Sequence, residues 1–242
     1  MATLIFDIET VATPWQDVPA FTRSALTSWV EKANYTPEEK RNKLADVQAR
    51  TSLSPFTGSI VSLAVYDVER KTGAVYFAAK DSDGSFSEGD FKYKVRSEKE
   101  ILEDFWEGAH SYDIFVSFNG RSFGLPFLYH RSLINGVRPT VDIARPRYLT
   151  KQAPPYHVDL LDEFSFHGAM SHRPSLALLC GAYGIKHASV LGGDEVAAAH
   201  EDGKHRLIAE KNAADVEAIT TLYEKWLRNL APRVWLNTIE NN

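Results

Sequence analysis

The chain opens on an apolar run, Leu4-Ile5-Phe6, that passes directly into Asp7-Ile8-Glu9. This pattern predicts a strand over about residues 3–9. Asp7 and Glu9 then leave the same face, because side chains alternate along a strand. Between 21 and 51, apolar positions recur in a polar background around Pro37 (Phe21, Leu26, Trp29 and Val30, then Leu44 and Val47). That predicts an insertion of two short helices after strand one. Residues 58–66 and 73–79 read as two partner strands, and residues 80–91, rich in Asp, Ser and Gly, as a loop. Ser97 and Glu100 form a capping box ahead of Ile101, Leu102, Phe105 and Trp106, so a helix starts there. Residues 113–118 read as a buried strand that turns at Asn119-Gly120. A helix follows over about 126–134 and ends at Asn135-Gly136.

The second half is less regular. Residues 137–156 are rich in proline and predict no element, and 157–161 are a short strand or a helix entry. Helices are expected over 174–183 and 193–200. The last helix runs over about 204–230, where Ile208, Asp215, Ile219, Leu222 and Trp226 fall near one stripe. Asp215 is thereby placed on the packed face. Lys211, four residues earlier, shares that face.

Composition narrows the setting. With 242 residues, 44% hydrophobic and 24% charged, the chain is expected to be a single α/β domain over 1–242 with its helical insertion at about 21–51. A net charge of −5 advertises no general basic field, although a local basic groove is invisible in that sum. Arg131, Arg138, Arg145, Arg147 and Lys151, with Tyr148, make a basic stretch that suits either a single-strand groove or a solvated surface. A lone cysteine, Cys180, excludes an internal disulfide. No apolar run approaches the roughly 20 residues that span a bilayer. Met1 leads within three residues into strand one, so neither a signal peptide nor a membrane partner is expected. The expected location is cytoplasmic.

Two acids on one strand face repel each other unless something positive lies between them, and a hard divalent cation with oxygen ligands is the usual answer. Asp215, facing inward from the late helix, supplies a third carboxylate. With F-D-I-E-T (6–10), S-F-N-G-R-S-F-G-L-P-F-L (117–128), H-V-D-L-L-D (157–162), P-S-L-A-L-L-C-G-A-Y-G-I-K (174–186), G-D-E-V (193–196) and I-A-E-K-N-A-A-D-V (208–216), the chain resembles the DEDD superfamily of 3′–5′ exonucleases. Within it, the chain is most similar to the stand-alone group related to the proofreading domain of family-B DNA polymerases. The resemblance implies a ribonuclease-H-like fold, a mixed five- or six-stranded sheet flanked by helices, and a single-stranded DNA or RNA 3′ end as substrate. It further implies Asp7, Glu9 and Asp215 as catalytic metal ligands for Mg²⁺ or Mn²⁺, and Asn119 and Arg121 as substrate contacts.

The departures from the family pattern carry equal weight. The second motif of the family has Asp after the Phe, where this chain has Gly124. The Tyr group has Tyr four residues before the last Asp, where Lys211 stands. The His group has His five before, where Glu210 stands. One metal site is therefore expected to form and the second to be weak. The expectation is a degenerate exonuclease with hydrolysis weakened or lost. A rival reading recruits Asp159 or Asp162 as a substitute, since Glu210, next to Lys211, points about 100° away on the helix. A reading of another class keeps the fold as an inactive nucleic-acid-binding or protein-interaction module, with a partner or self-association through the 21–51 insertion.

Overall fold

The computed structural model describes residues 1–79, 84–189 and 191–240. Its centre is β1 (Thr3–Ala12), an antiparallel neighbour of β2 (Gly58–Asp67), which pairs antiparallel with β3 (Thr72–Phe77). On the other side β1 runs parallel to β6 (Ile114–Ser117), which runs parallel to β7 (Tyr156–Asp159). The sheet is wider than the five or six strands expected. It has seven, because β4 (Phe86–Glu88) and β5 (Phe91–Val95) extend it beyond β3 in the order β4-β5-β3-β2-β1-β6-β7. Part of the loop expected at 80–91 is thus strand, and 80–83 lie outside the described residues. These two strands are short and their apolar positions few. Register against β3 and the stacked Phe86 and Tyr93 rings, 4.3 Å apart, hold them in place.

The two faces of β1 explain where the acids point. Leu4, Phe6 and Ile8 enter one core with α3 (Glu98–Ala109) and α4 (Leu125–Asn135), represented by Ile101, Phe105, Trp106 and Phe127. Ile5 enters the opposite core beneath α8 (His205–Asn229), whose Ala213, Val216, Ile219, Leu222 and Trp226 are buried there. Each such large apolar side chain contributes about 1.5–3 kcal/mol to holding α8 down. Asp7 and Glu9 share the face of Ile5 and so face α8. A hydrogen bond of 2.9 Å from Asn212 Nδ2 to Ser62 Oγ fixes α8 opposite Glu9, because Ser62 is the β2 partner of Glu9.

The predicted capping box at Ser97 and Glu100 is formed. The insertion is α1 (Ala20–Lys32) and α2 (Pro37–Ala49), with only Val30 fully buried between them. The remaining helices are α5 (Leu160–Phe164), α6 (Leu176–Tyr183), α7 (Val196–Glu201) and α9 (Arg233–Glu240). The last of these was not expected, and Trp235 anchors it edge-on against Tyr156. Among the described residues no helix is long and apolar enough to cross a membrane.

Candidate active site

Asp7, Glu9 and Asp215 converge, each offering one carboxylate oxygen within 4.8 Å of the others. Strand alternation brings the first two together. Helix periodicity brings Asp215 to them, along with Lys211 one turn earlier on the same face. Lys211 Nζ lies 2.5 Å from Glu9 Oε1 and 2.6 Å from Asp215 Oδ2, donating to both. The other oxygen of Asp215 is 2.5 Å from His187 Nε2. Both oxygens of Asp215 and one of Glu9 are therefore already engaged by basic side chains.

The electrostatics follow from burial and crowding. Burial raises the Asp7 carboxyl well above its ordinary range, and the neighbouring Glu9 and Asp215 push it further. Burial likewise lifts Glu9 to about 7, against the opposing pull of the Lys211 charge. Burial works against the Lys211 ammonium, but Glu9, Asp215 and Asp7 outweigh it and hold the proton on above the ordinary lysine value. Three carboxylates and one ammonium leave an excess of negative charge, the reason the acids resist ionising together. The set of hard oxygen donors suits one divalent cation. The tethered ammonium, however, stands among the same oxygens and supplies part of the positive charge a metal would bring.

The altered second-motif position is close by. Asn119 takes a left-handed turn (φ 62°) into a π-turn over Gly120–Gly124 that leads into α4. Gly120 is required there, since a Cβ would lie 2.0 Å from Ser117 Oγ. Gly124 is different. Its backbone is helical, and a Cβ would meet only Phe6 Cε2 at 3.7 Å, ordinary van der Waals contact. Sterically, the position accepts a side chain.

Asp159 and Asp162, considered as substitute ligands, are engaged elsewhere. Asp159 accepts from the backbone N–H groups of Asn119 and Arg121, each at 2.9 Å, and from Leu161 at 3.0 Å, so it caps two chain segments at once. Asp162 is gripped by Arg121 (3.0 Å) and Arg147 (2.7 Å). Arg121, expected at the substrate, is thus turned inward, with a further 2.6 Å bond to the Arg145 carbonyl. Glu210 points to Arg206 at 2.6 Å and joins no acid cluster. Asn119 remains at the surface of the turn, where its Oδ1 accepts from Arg173 at 3.2 Å. Of the basic stretch, Arg131 is held by Glu98 (2.6 Å) and Arg145 by the Pro155 carbonyl (2.9 Å), so neither is a loose surface charge.

A cleft of about 540 Å³ opens beside the carboxylates, lined by Ser175, His187, Gly192, Lys211 and Asp215 among others. His187 was not singled out in the sequence. It sits in a segment between helices, with no periodicity to mark its direction and no ligand spacing to mark its partner. Only packing puts it on Asp215.

A mixed sheet whose first strand and late long helix bring three carboxylates together is the frame of the ribonuclease-H-like nucleases. Residues 67–237 match the model of a family described as predicted 3′–5′ exonucleases related to the exonuclease domain of PolB, and this chain belongs to that family. Asp7 and Glu9 precede the matched residues. Their place in the cluster rests on the geometry of β1. Among solved structures, the chain is similar to the family B DNA polymerase of the hyperthermophilic archaeon Pyrobaculum calidifontis, with TM-score 0.56 and 18% identity. That similarity covers 93% of this chain and 24% of the polymerase, so the chain spans about a quarter of that protein's length. No curated protein matches the chain.

Proposed function

We propose that residues 1–242 form one exonuclease-like domain that takes the 3′ end of single-stranded DNA or RNA into the cleft beside Asp7, Glu9 and Asp215, with hydrolysis weak or lost. The observation that carries this reading is the Lys211 ammonium lying between Glu9 and Asp215. It stands where the family's Tyr would orient the attacking water, and an ammonium that is already donating to two carboxylates cannot accept a proton from that water. Gly124 removes a fourth carboxylate. Asp7, Glu9 and Asp215 would hold one Mg²⁺ or Mn²⁺, which when bound would supply an activated water, while the second ion that would steady the leaving oxygen lacks the carboxylate that Gly124 removes. Lys211 opposes that binding by charge and by occupying the same oxygens.

The nucleic-acid side of the reading is supported by the charge of the chain that leads to the cleft. Between residues 143 and 193 the sequence has only three acids, Asp159, Asp162 and Glu163. The first two are buried, and the Glu163 side chain is only 9% exposed. Arg147, Lys151, Arg173 and Lys186 from the same stretch are exposed. In a chain of net charge −5 this stretch thus exposes cations and no acid, while the exposed Asp194 and Glu195 stand at its end, against Gly192 of the cleft.

The test is cleavage of 5′-labelled single-stranded DNA and RNA with Mg²⁺ and with Mn²⁺. The parent is compared with Gly124→Asp/Lys211→Tyr and with that double variant carrying Asp7→Ala. The double variant is expected to shorten the strand stepwise from its 3′ end, at least roughly 10²-fold faster than the parent, and Asp7→Ala is expected to abolish this. A parent that turns over as fast as the restored variant would overturn the reading. A second reading, a protein contact through the insertion, is favoured by α1, which leaves Phe21 84% exposed and Trp29 47% exposed. It predicts a concentration-dependent sedimentation coefficient that Phe21→Ser removes.

A further inference from the structure

The segment that follows α5 takes an unusual path. Phe166 and His167 are consecutive and both left-handed, with φ 50° and 56°. Residues with a Cβ rarely adopt this conformation, and two in succession are costly for the chain. The path is held by the His167 N–H bonded to the Asp162 carbonyl at 2.7 Å and by the Ser165 carbonyl accepting from Met170 at 3.2 Å. What it achieves is display. The Phe166 ring is 65% exposed, and Tyr148, edge-on to His167 at 4.7 Å, is 52% exposed. The Arg147 guanidinium lies against Gly168, 3.5 Å from where a Cβ would be. Further along, Arg173 reaches Asn119, and two residues later Ser175 lines the carboxylate cleft. Phe166, Arg173 and the cleft-lining Ser175 therefore lie along one piece of chain, with Tyr148 and Arg147 packed beside it.

The geometry points to the 165–173 segment, with Tyr148, as a platform for the single strand that enters the cleft. Bases stack on Phe166 and Tyr148, and Arg173 neutralises a phosphate between them and the cleft. This rests on the proposed nucleic-acid reading of the cleft and adds where the strand lies. Every base has a π-face, so such a platform holds a strand with little regard to sequence. No acid lies on residues 165–173, and the exposed Arg147 and Arg173 stand beside and on that segment, which favours a polyanion as occupant. The aromatic pair favours one with flat rings over an acidic peptide.

The test is binding of fluorescein-labelled oligothymidylate by anisotropy in EDTA, with a labelled poly-glutamate peptide as comparison. Phe166→Gly is the informative variant. It relieves a left-handed backbone and removes only an exposed ring, so thermal stability is expected to hold or rise while affinity falls roughly tenfold. Phe166→Trp is expected to keep the parent's affinity. Arg173→Ala is expected to lower the slope of log affinity against log salt by about 0.7, the value for one phosphate of a single strand. A parent that binds while Phe166→Gly and Arg173→Ala bind equally well overturns the platform and leaves the cleft reading standing. A parent that does not bind oligothymidylate overturns both. Equal affinity for poly-glutamate would reduce the surface to charge alone and overturn the stacking.

Discussion

Two buried acid clusters among the described residues are neutralised in opposite ways. Around Asp159 and Asp162 the partners are backbone N–H groups and the forked guanidinium groups of Arg121 and Arg147. Their geometry is set by the turn at Asn119 and by the chain entering α5. Around Asp7, Glu9 and Asp215 the main partner is one ammonium on a flexible four-carbon stem. Guanidinium is planar, always charged and fixed in direction, whereas an ammonium is a compact point charge that another cation can replace. The first cluster holds the second-motif turn in place. The second is a site where a charge can be exchanged. Burial raises acids in both, lifting Asp159 in one and Asp7 and Glu9 in the other, so burial alone does not distinguish structure from site.

The largest expected effect comes from breaking the fixed cluster. Asp162→Ala strands the Arg121 guanidinium and frees the more exposed Arg147, and should lower stability by about 3–5 kcal/mol in urea denaturation. Divalent ions should not restore it. Lys211→Met is expected to cost about 3 kcal/mol in EDTA, since the acids lose their only ammonium. Here Mn²⁺ should restore stability, by about 2.7 kcal/mol at a hundred times its dissociation constant, while the parent gains much less. Equal Mn²⁺ stabilisation of parent and Lys211→Met would erase the contrast between the clusters.

A buried histidine sharpens the comparison by being neutral. His157, on β7 between the two regions, meets Ser117 Oγ at 2.8 Å through Nε2, while its Nδ1 has no partner. Burial, reinforced by Arg121, pushes it down from 6.5 to about 3. The unfolded chain takes up this proton below about 6.5 and the folded chain refuses it until about 3, so this contribution to stability is present above 6.5 and lost as pH falls through that window. The expected loss from pH 6.5 to 5.5 is about 1 kcal/mol. His157→Phe should flatten that part of the profile, and an unchanged slope would assign it to the carboxylates. The smallest effect is at Gly124. Gly124→Ala alone should change stability by about 0.5 kcal/mol or less, because the position has room and no charge joins the three acids. A loss of several kcal/mol would mean the turn cannot accept a side chain.

Much of the candidate site was legible from local periodicity. The alternation in β1 put Asp7 and Glu9 on one face. The 3.6-residue repeat in α8 put Asp215 and Lys211 on another, and the structure brings those faces together. Departures at Gly124 and Lys211 were legible as residue types. The arginines were not. Arg121 and Arg147 read as candidate phosphate or solvent charges because no local pattern links residue 121 or 147 to Asp162; the parallel pairing of β6 with β7 brings residue 121 to it, and the path of the chain before β7 brings residue 147. His187 was missed for the same reason, as were β4 and β5, whose few apolar positions gain meaning only against β3.

By itself the sequence determined which faces would be acidic and which residues occupy the family's altered positions, since strand and helix periods act over a few residues. Only the tertiary structure decided that the Lys211 ammonium lies between Glu9 and Asp215 rather than in solvent, and that Asp162 belongs to the arginines. Those outcomes depend on how α8 seats on β1 and β2 and how β7 aligns with β6. Such alignments are set by core packing over long chain separations, which no local pattern encodes.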